Sequence, residues 1–233
     1  MSSAAHSACH CGPLGRFVSS TLGKKAIMAL TGFAMFGFVV VHMIGNLQVF
    51  AGDGGAALDK YAAALKAIPA LLWGTRIVVG VSLILHIWAA VSLKRLSNEA
   101  RPVAYKTHTM VQATVPSRNM LWGGIALFFY VVYHLMHFTV GVASPIAAGF
   151  QGHLVYRNLV TSFQNPVMSG LYILAMGALG MHLYHGLYSL FQTLGLNHPA
   201  YMPRIRTGAQ VFGAAVAAGF MSIPVAVLAG LVK

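Results

Sequence analysis

The sequence predicts an all-α integral membrane protein of five transmembrane helices. Three observations carry this expectation. Of 233 residues, 58% are apolar and 8% charged; long apolar runs recur along the chain; and the basic residues gather between those runs. A soluble domain carries about 25% charged residues. On a soluble protein, a net charge of +12 from 15 basic residues against Asp53, Asp59 and Glu99 would suggest a nucleic-acid partner. Basic residues flanking apolar runs reflect orientation in membrane lipid instead, and no nucleic acid is expected.

Residues 26–50, 70–93, 119–143, 166–192 and 207–231 form the runs. Each has the roughly 20 residues that cross about 30 Å of hydrocarbon as a helix. Arg76 is the only formally charged residue well inside any of them. The first run starts late, is too long for a signal peptide and lacks a small-residue cleavage site. Pro69, Pro166 and Pro203 mark helix starts or connecting loops. Pro224 lies within the last run and should kink it, as membrane helices tolerate. Residues 1–20 read as a flexible cytoplasmic tail and residues 21–233 as one membrane domain.

Orientation follows from the basic residues. Arg16, Lys24, Lys25, Lys94, Arg95, Arg101, Lys106, Arg118, Arg204 and Arg206 fall on one side, against Lys60, Lys66, Arg157 and Lys233 on the other. The positive-inside tendency places the N-terminus in the cytoplasm and the C-terminus outside.

Six of the eleven histidines fall within the runs: His42, His86, His134, His137, His182 and His185. An ionisable side chain in a membrane helix is costly and faces the bundle interior with a partner. Any one of them alone reads equally well as hydrogen-bonded to a neighbouring helix. As a set they say more, because their depths pair. Counted from the cytoplasmic ends, His42 lies about 25 Å deep in the first helix and His134 about 24 Å deep in the third. His86 and His182, on helices running the other way, lie about 12 and 15 Å from the same face. Iron in haem takes two axial imidazoles from facing helices of a four-helix bundle. An outer pair and an inner pair roughly 10 Å apart would hold two haems b in helices 1–4. The fifth helix has no histidine and is expected only to pack.

An internal echo agrees. Val39-Val40-Val41-His42-Met43 resembles Val131-Val132-Tyr133-His134-Leu135, and 44 residues separate His42 from His86 where 48 separate His134 from His182. The echo favours His134 over His137 and, more faintly, His182 over His185; depth does not decide the second choice. The glycines of these helices, Gly32, Gly80 and Gly180 among them, fit close helix approach as well as a flat macrocycle. Ser82, one turn before His86, is placed to accept the second ring N–H. Arg76 and Arg157 lie near the outer depth, where buried propionates would need cationic partners. Cys9-His10-Cys11 with His6 lacks structural zinc spacing, and the Cys-x-x-Cys-His of c-type haem attachment is missing.

His42-Met43-Ile44-Gly45-Asn46, Pro69-Ala70-Leu71-Leu72-Trp73 and the long segment from His182-Leu183-Tyr184-His185-Gly186 to Asn197-His198-Pro199 resemble the cytochrome b558 subunit of the succinate dehydrogenase/fumarate reductase family. The resemblance runs from about residue 20 to the C-terminus. It implies a five-helix, two-haem anchor in the bacterial cytoplasmic (inner) membrane, holding a flavoprotein and an iron–sulfur subunit on the cytoplasmic face. It also implies a quinone substrate (menaquinone or another), a dicarboxylate site on a different subunit, and room for a higher oligomer of the complex. It assigns the ligand role to His42, His86, His134 and His182, separating His182 from His185. Asp59 falls near the position where related subunits carry a quinone-site acid. Some menaquinol-oxidising members place a glutamate beside the inner ligand in helix 4; this chain has Gly180 and Met181 there.

The cytoplasmic segment 94–118 is expected to dock the iron–sulfur subunit. With no carboxylate in any of the five runs, electrons would cross without accompanying protons, which favours succinate oxidation over fumarate reduction. A histidine-relay, proton-coupled transporter and an anchor that has lost its haems are the competing expectations.

Overall fold

The computed structural model describes residues 12–100, 115–143 and 147–233. The helices are α1 (Pro13–Ser19), α2 (Thr21–Asn46), α3 (Ala56–Lys66), α4 (Pro69–Glu99), α5 (Val115–His134), α6 (Val155–Phe163), α7 (Pro166–Thr193) and α8 (Met202–Leu228). No strand occurs among the described residues. Five segments are long and apolar enough to cross a membrane: Thr21–Ala51, Pro69–Glu99, Ser117–Val140, Pro166–Thr193 and Met202–Leu228. This is the five-helix membrane architecture that the apolar runs predict. Side chains such as Leu30, Ile84, Trp122 and Leu174 are exposed on it. That is a liability in water and the normal state of a helix face in lipid.

Local chemistry sets the helix ends. Pro13, Pro69, Pro166 and Pro203 each occupy a first turn, where a missing N–H costs nothing. Residues 13–19 are therefore helical where the sequence predicts tail. The Ser20 hydroxyl accepts the Gly23 N–H at 3.0 Å to cap α2. Asn165 Oδ1 accepts from Val167 at 2.9 Å and Met168 at 3.2 Å to cap α7. The last helix starts at Met202 rather than 207, runs through Pro224 and ends at Leu228 rather than 231. The third span leaves α-geometry after His134: Leu135–Val140 is a π-helical turn, closed by Gly141 at φ +79°.

Helix α8 lies closely along α7, and glycine is what permits it. A Cβ on Gly213 would sit 2.6 Å from the Gly180 carbonyl oxygen, and one on Gly180 would sit 3.0 Å from that of Gly213. Small residues at a crossing are the usual means of packing in lipid. Helix α2 lies against α4, and α5 against α7. By contrast, α4 makes at most sparse backbone approach to α5 or α7, and so does α2 to α5. The pairs α2/α4 and α5/α7 thus approach each other at the backbone mainly where α2 meets α7, with α8 also touching α2, and elsewhere side chains reach across between them.

One end of the bundle is closed by α3 and α6, which the apolar runs do not foreshadow. We call this end the cap face, and the opposite end, bearing Lys24, Lys94 and Arg204, the basic face. Val49, Leu58, Phe163, Tyr172 and Ile223 belong to a buried apolar core at the cap face. Asp53 accepts N–H groups of Gly55 at 3.0 Å and Ala57 at 2.7 Å, starting α3. Lys66 donates to the Gly152 carbonyl, tying α3 to the turn before α6.

Candidate functional site

Between the two helix pairs, the histidines meet in twos. The rings of His42 on α2 and His134 on α5 have centres 5.9 Å apart at 84°. Those of His86 on α4 and His182 on α7 are 6.2 Å apart at 56°. Each pair joins one helix of the α2/α4 pair to one of the α5/α7 pair. The His86 ring meets α2 at Met28, Thr31 and Gly32, ten residues or more before His42. Ten residues of helix are about 15 Å, and the tilt of side chains towards the N-terminus narrows the gap between the ring levels.

The His42/His134 level is aromatic. Phe38 stacks on His42 at 5.4 Å and Phe220 of α8 lies at 6.0 Å. Tyr130, Phe138 and Tyr172 surround His134 at 5.8, 5.8 and 6.0 Å. His134 Nδ1 is 3.4 Å from the Tyr172 hydroxyl. The same hydroxyl is 2.9 Å from Nδ1 of the fully buried His137, whose Nε2 is 3.1 Å from the Ser162 hydroxyl. The π-helical turn follows His134 directly, and both histidines reach Tyr172 across it; such turns concentrate at functional positions. His137 thus has both ring nitrogens engaged by protein.

The His86/His182 level is barer. His86 Nδ1 lies 3.1 Å from the Met28 carbonyl oxygen and 3.4 Å from Thr31 Oγ1. A carbonyl only accepts, so Nδ1 carries the proton and Nε2 the lone pair. Gly32 makes room for this, because a Cβ there would stand 3.2 Å from His86 Cε1. The carbonyl partner is Met28 where the sequence points to Ser82. His182 Nδ1 is buried with no hydrogen-bond partner among the described residues.

The remaining sequence candidates fall elsewhere. Arg76 is exposed on α4, its guanidinium 5.0 Å over the Trp73 ring. Arg157 is exposed on α6. Asp59 sits in the first turn of α3, and its Oδ1 accepts the Tyr156 N–H of α6 at 2.9 Å. Close by, a cavity of about 230 Å³ is lined by Val49, Phe50, Tyr156 and Lys233 among others. His6, Cys9, His10, Cys11 and residues 101–114 of the expected docking segment lie outside the described residues.

Sequence reasoning missed Tyr172, Ser162 and Thr31. A signal existed for the first: a tyrosine hydroxyl in an apolar span needs a partner. None existed for Ser162, since α6 shows no apolar run long enough to register.

Among the described residues, no group of three or more His, Cys, Asp or Glu side chains could hold a metal ion. A pair of histidines alone suffices only where other ligands come from a cofactor. A metal–imidazole bond is about 2 Å, and the ring centre lies about 1 Å beyond its nitrogen, so one iron between two imidazoles sets their centres roughly 6 Å apart. Both pairs meet that spacing. Comparison with protein-family models, curated proteins and solved structures gave no match.

Proposed function

We propose that this chain is the membrane-anchor cytochrome b subunit of a succinate:quinone oxidoreductase, in which His42/His134 and His86/His182 would hold two haems b. The observation that carries this reading is the pairing itself: two histidine pairs, each bridging the helix pairs at ring-centre spacings of 5.9 and 6.2 Å. The sparse backbone approach of α4 to α5 and α7, and of α2 to α5, supports it too, since a flat group would need room between facing helices. The Met28 carbonyl leaves the lone pair of His86 on Nε2, as a metal ligand requires. Bound there, haem supplies one-electron transfer along the bundle.

The chain's own residues do the rest. The histidines would bind and orient, the aromatic shell around His42 and His134 would exclude water, and Arg76 and Arg157, both exposed, would have to turn inward to pair with propionates. The basic face, with the 94–118 segment, docks the iron–sulfur subunit that partners the flavoprotein. Quinone reacts at the cap face, where Asp59 and the cavity beside Tyr156 lie. With the basic face in the bacterial cytoplasm, electrons from succinate move outward, which a membrane potential negative inside favours by about 2.3 kcal/mol per charge per 100 mV. Fumarate reduction is the same machinery run in reverse.

The hydrogen bonds through Tyr172 and His137 favour one competing reading, a histidine-relay transporter. A visible spectrum of the purified, reduced protein separates the two. Paired-histidine haem gives a sharp α band with two haems per chain, whereas a relay gives no absorbance there and sinks the cytochrome reading.

A further inference from the structure

The hydrogen bonds leading away from His134 have a single consistent direction, set at their far end. On α6 the Ser162 hydroxyl lies 2.6 Å from the Asn158 carbonyl oxygen one turn back. A carbonyl oxygen only accepts, so the single hydroxyl proton of Ser162 goes there. The Ser162 oxygen then accepts from His137 Nε2 at 3.1 Å, which places a proton on that nitrogen. No acidic residue lies in α5, α6 or α7, and a buried imidazole without an anionic partner is neutral. His137 Nδ1 is therefore bare and takes the Tyr172 phenolic proton at 2.9 Å. The Tyr172 oxygen, with its own proton committed, accepts from His134 Nδ1 at 3.4 Å. His134 thus holds its proton on Nδ1 and its lone pair on Nε2.

We infer that Ser162, His137 and Tyr172 are positioning residues that select the tautomer of His134, presenting its Nε2 as a metal ligand and tuning the redox potential at the His42/His134 level alone. The inference rests on the haem reading above. Its physical basis is general: an acceptor on the far N–H of a ligating imidazole fixes the ring and raises its basicity, which stabilises the oxidised metal. Each bond in a buried line polarises the next, so the effect of Ser162 reaches His134 through two intermediates. Nothing in this line touches His86 or His182, whose level has its own carbonyl partner at Met28.

The test is a redox titration of the intact membrane complex carrying the natural chain, Tyr172→Phe or Ser162→Ala, with haem content measured alongside. Tyr172→Phe should keep two haems and raise the reduced-to-oxidised ratio of one of them about tenfold at a fixed potential, roughly 59 mV for one electron. Ser162→Ala should move the same haem in the same direction by less, and the other haem should stay put in both. Should Tyr172→Phe fail to assemble, Ser162→Ala decides alone. Two haems retained with neither potential moved, or with both moved equally, overturns the inference and leaves the haem reading intact. A natural chain that binds no haem overturns both.

Discussion

At one level of the bundle, His42 and His134 meet among Phe38, Phe220, Tyr130, Phe138 and Tyr172, with a line of buried polar groups running off towards α6. At the other level, His86 and His182 meet against Gly32 and a single backbone carbonyl, and one ring nitrogen of His182 has no hydrogen-bond partner among the described residues. The ring-centre spacings differ by little, 5.9 against 6.2 Å; what differs is the surroundings. The potentials of paired-histidine haems follow burial and hydrogen bonding around the ligands. If both pairs hold haem as proposed, two sites with the same kind of ligand and unlike settings are therefore expected to titrate apart.

The strongest way to break the comparison is to remove a ligand. His42→Ala or His134→Ala should abolish one haem, and His86→Ala or His182→Ala the other, each leaving roughly half the haem content. His185→Ala and His137→Ala should retain both. Haem quantification with resolved α-band spectra checks this. Loss of a haem on His185→Ala with two retained on His182→Ala would move the α7 ligand.

A milder intervention touches only the barer level. Gly32→Leu fills the space that the His86 ring occupies, and should weaken haem binding at His86/His182 by about 10- to 100-fold while sparing the other haem. Gly32→Ala places a Cβ 3.2 Å from His86 Cε1, a contact that a few tenths of an ångström relieve, so it should bind two haems with one spectrum shifted. Equal loss of both haems on Gly32→Leu would mean that the glycine serves helix packing in general and not this level.

These residues also show how far the sequence could be read. The five spans were legible because crossing lipid demands apolar length, which is a property of contiguous residues. The four histidines paired by depth because rise per residue is nearly constant along a helix. Tyr172, Ser162 and Met28 were not legible: their roles depend on rotation about helix axes, on a π-helical turn after His134, and on a carbonyl that no side chain marks. The α3/α6 cap escaped for a related reason. Its helices are short and bury faces only against each other and the bundle end, so no run of apolar residues announces them.

The cap offers a control that leaves both levels alone. Gly55 adopts φ +93°, and a Cβ there would lie 2.1 Å from Tyr156 Cγ. Gly55→Ala should cost about 1–3 kcal/mol through backbone strain alone, with further loss from displacing Tyr156, read as a lower thermal midpoint with two haems still bound. Haem loss accompanying that drop would show the levels to be coupled to the cap.

The smallest expected effect on the fold separates two roles of Asp59. As the acceptor for the Tyr156 N–H at 2.9 Å, its carboxylate satisfies one of the open donors at the start of α6 and places negative charge by that helix N-terminus. Asp59→Ala removes both and should cost about 1 kcal/mol. Asp59→Asn keeps an oxygen in the same place and should cost only a few tenths of that, because the amide accepts the bond and loses only the charge. Neither change reaches His42, His86, His134 or His182, so haem content and both potentials should hold. Quinone turnover is the discriminating measurement. An acid that exchanges protons with quinone cannot be replaced by an amide, so turnover should fall several-fold in Asp59→Asn even though its stability is nearly that of the natural chain. Turnover that follows stability instead, falling in Asp59→Ala and unchanged in Asp59→Asn, would make Asp59 a helix cap and place quinone elsewhere.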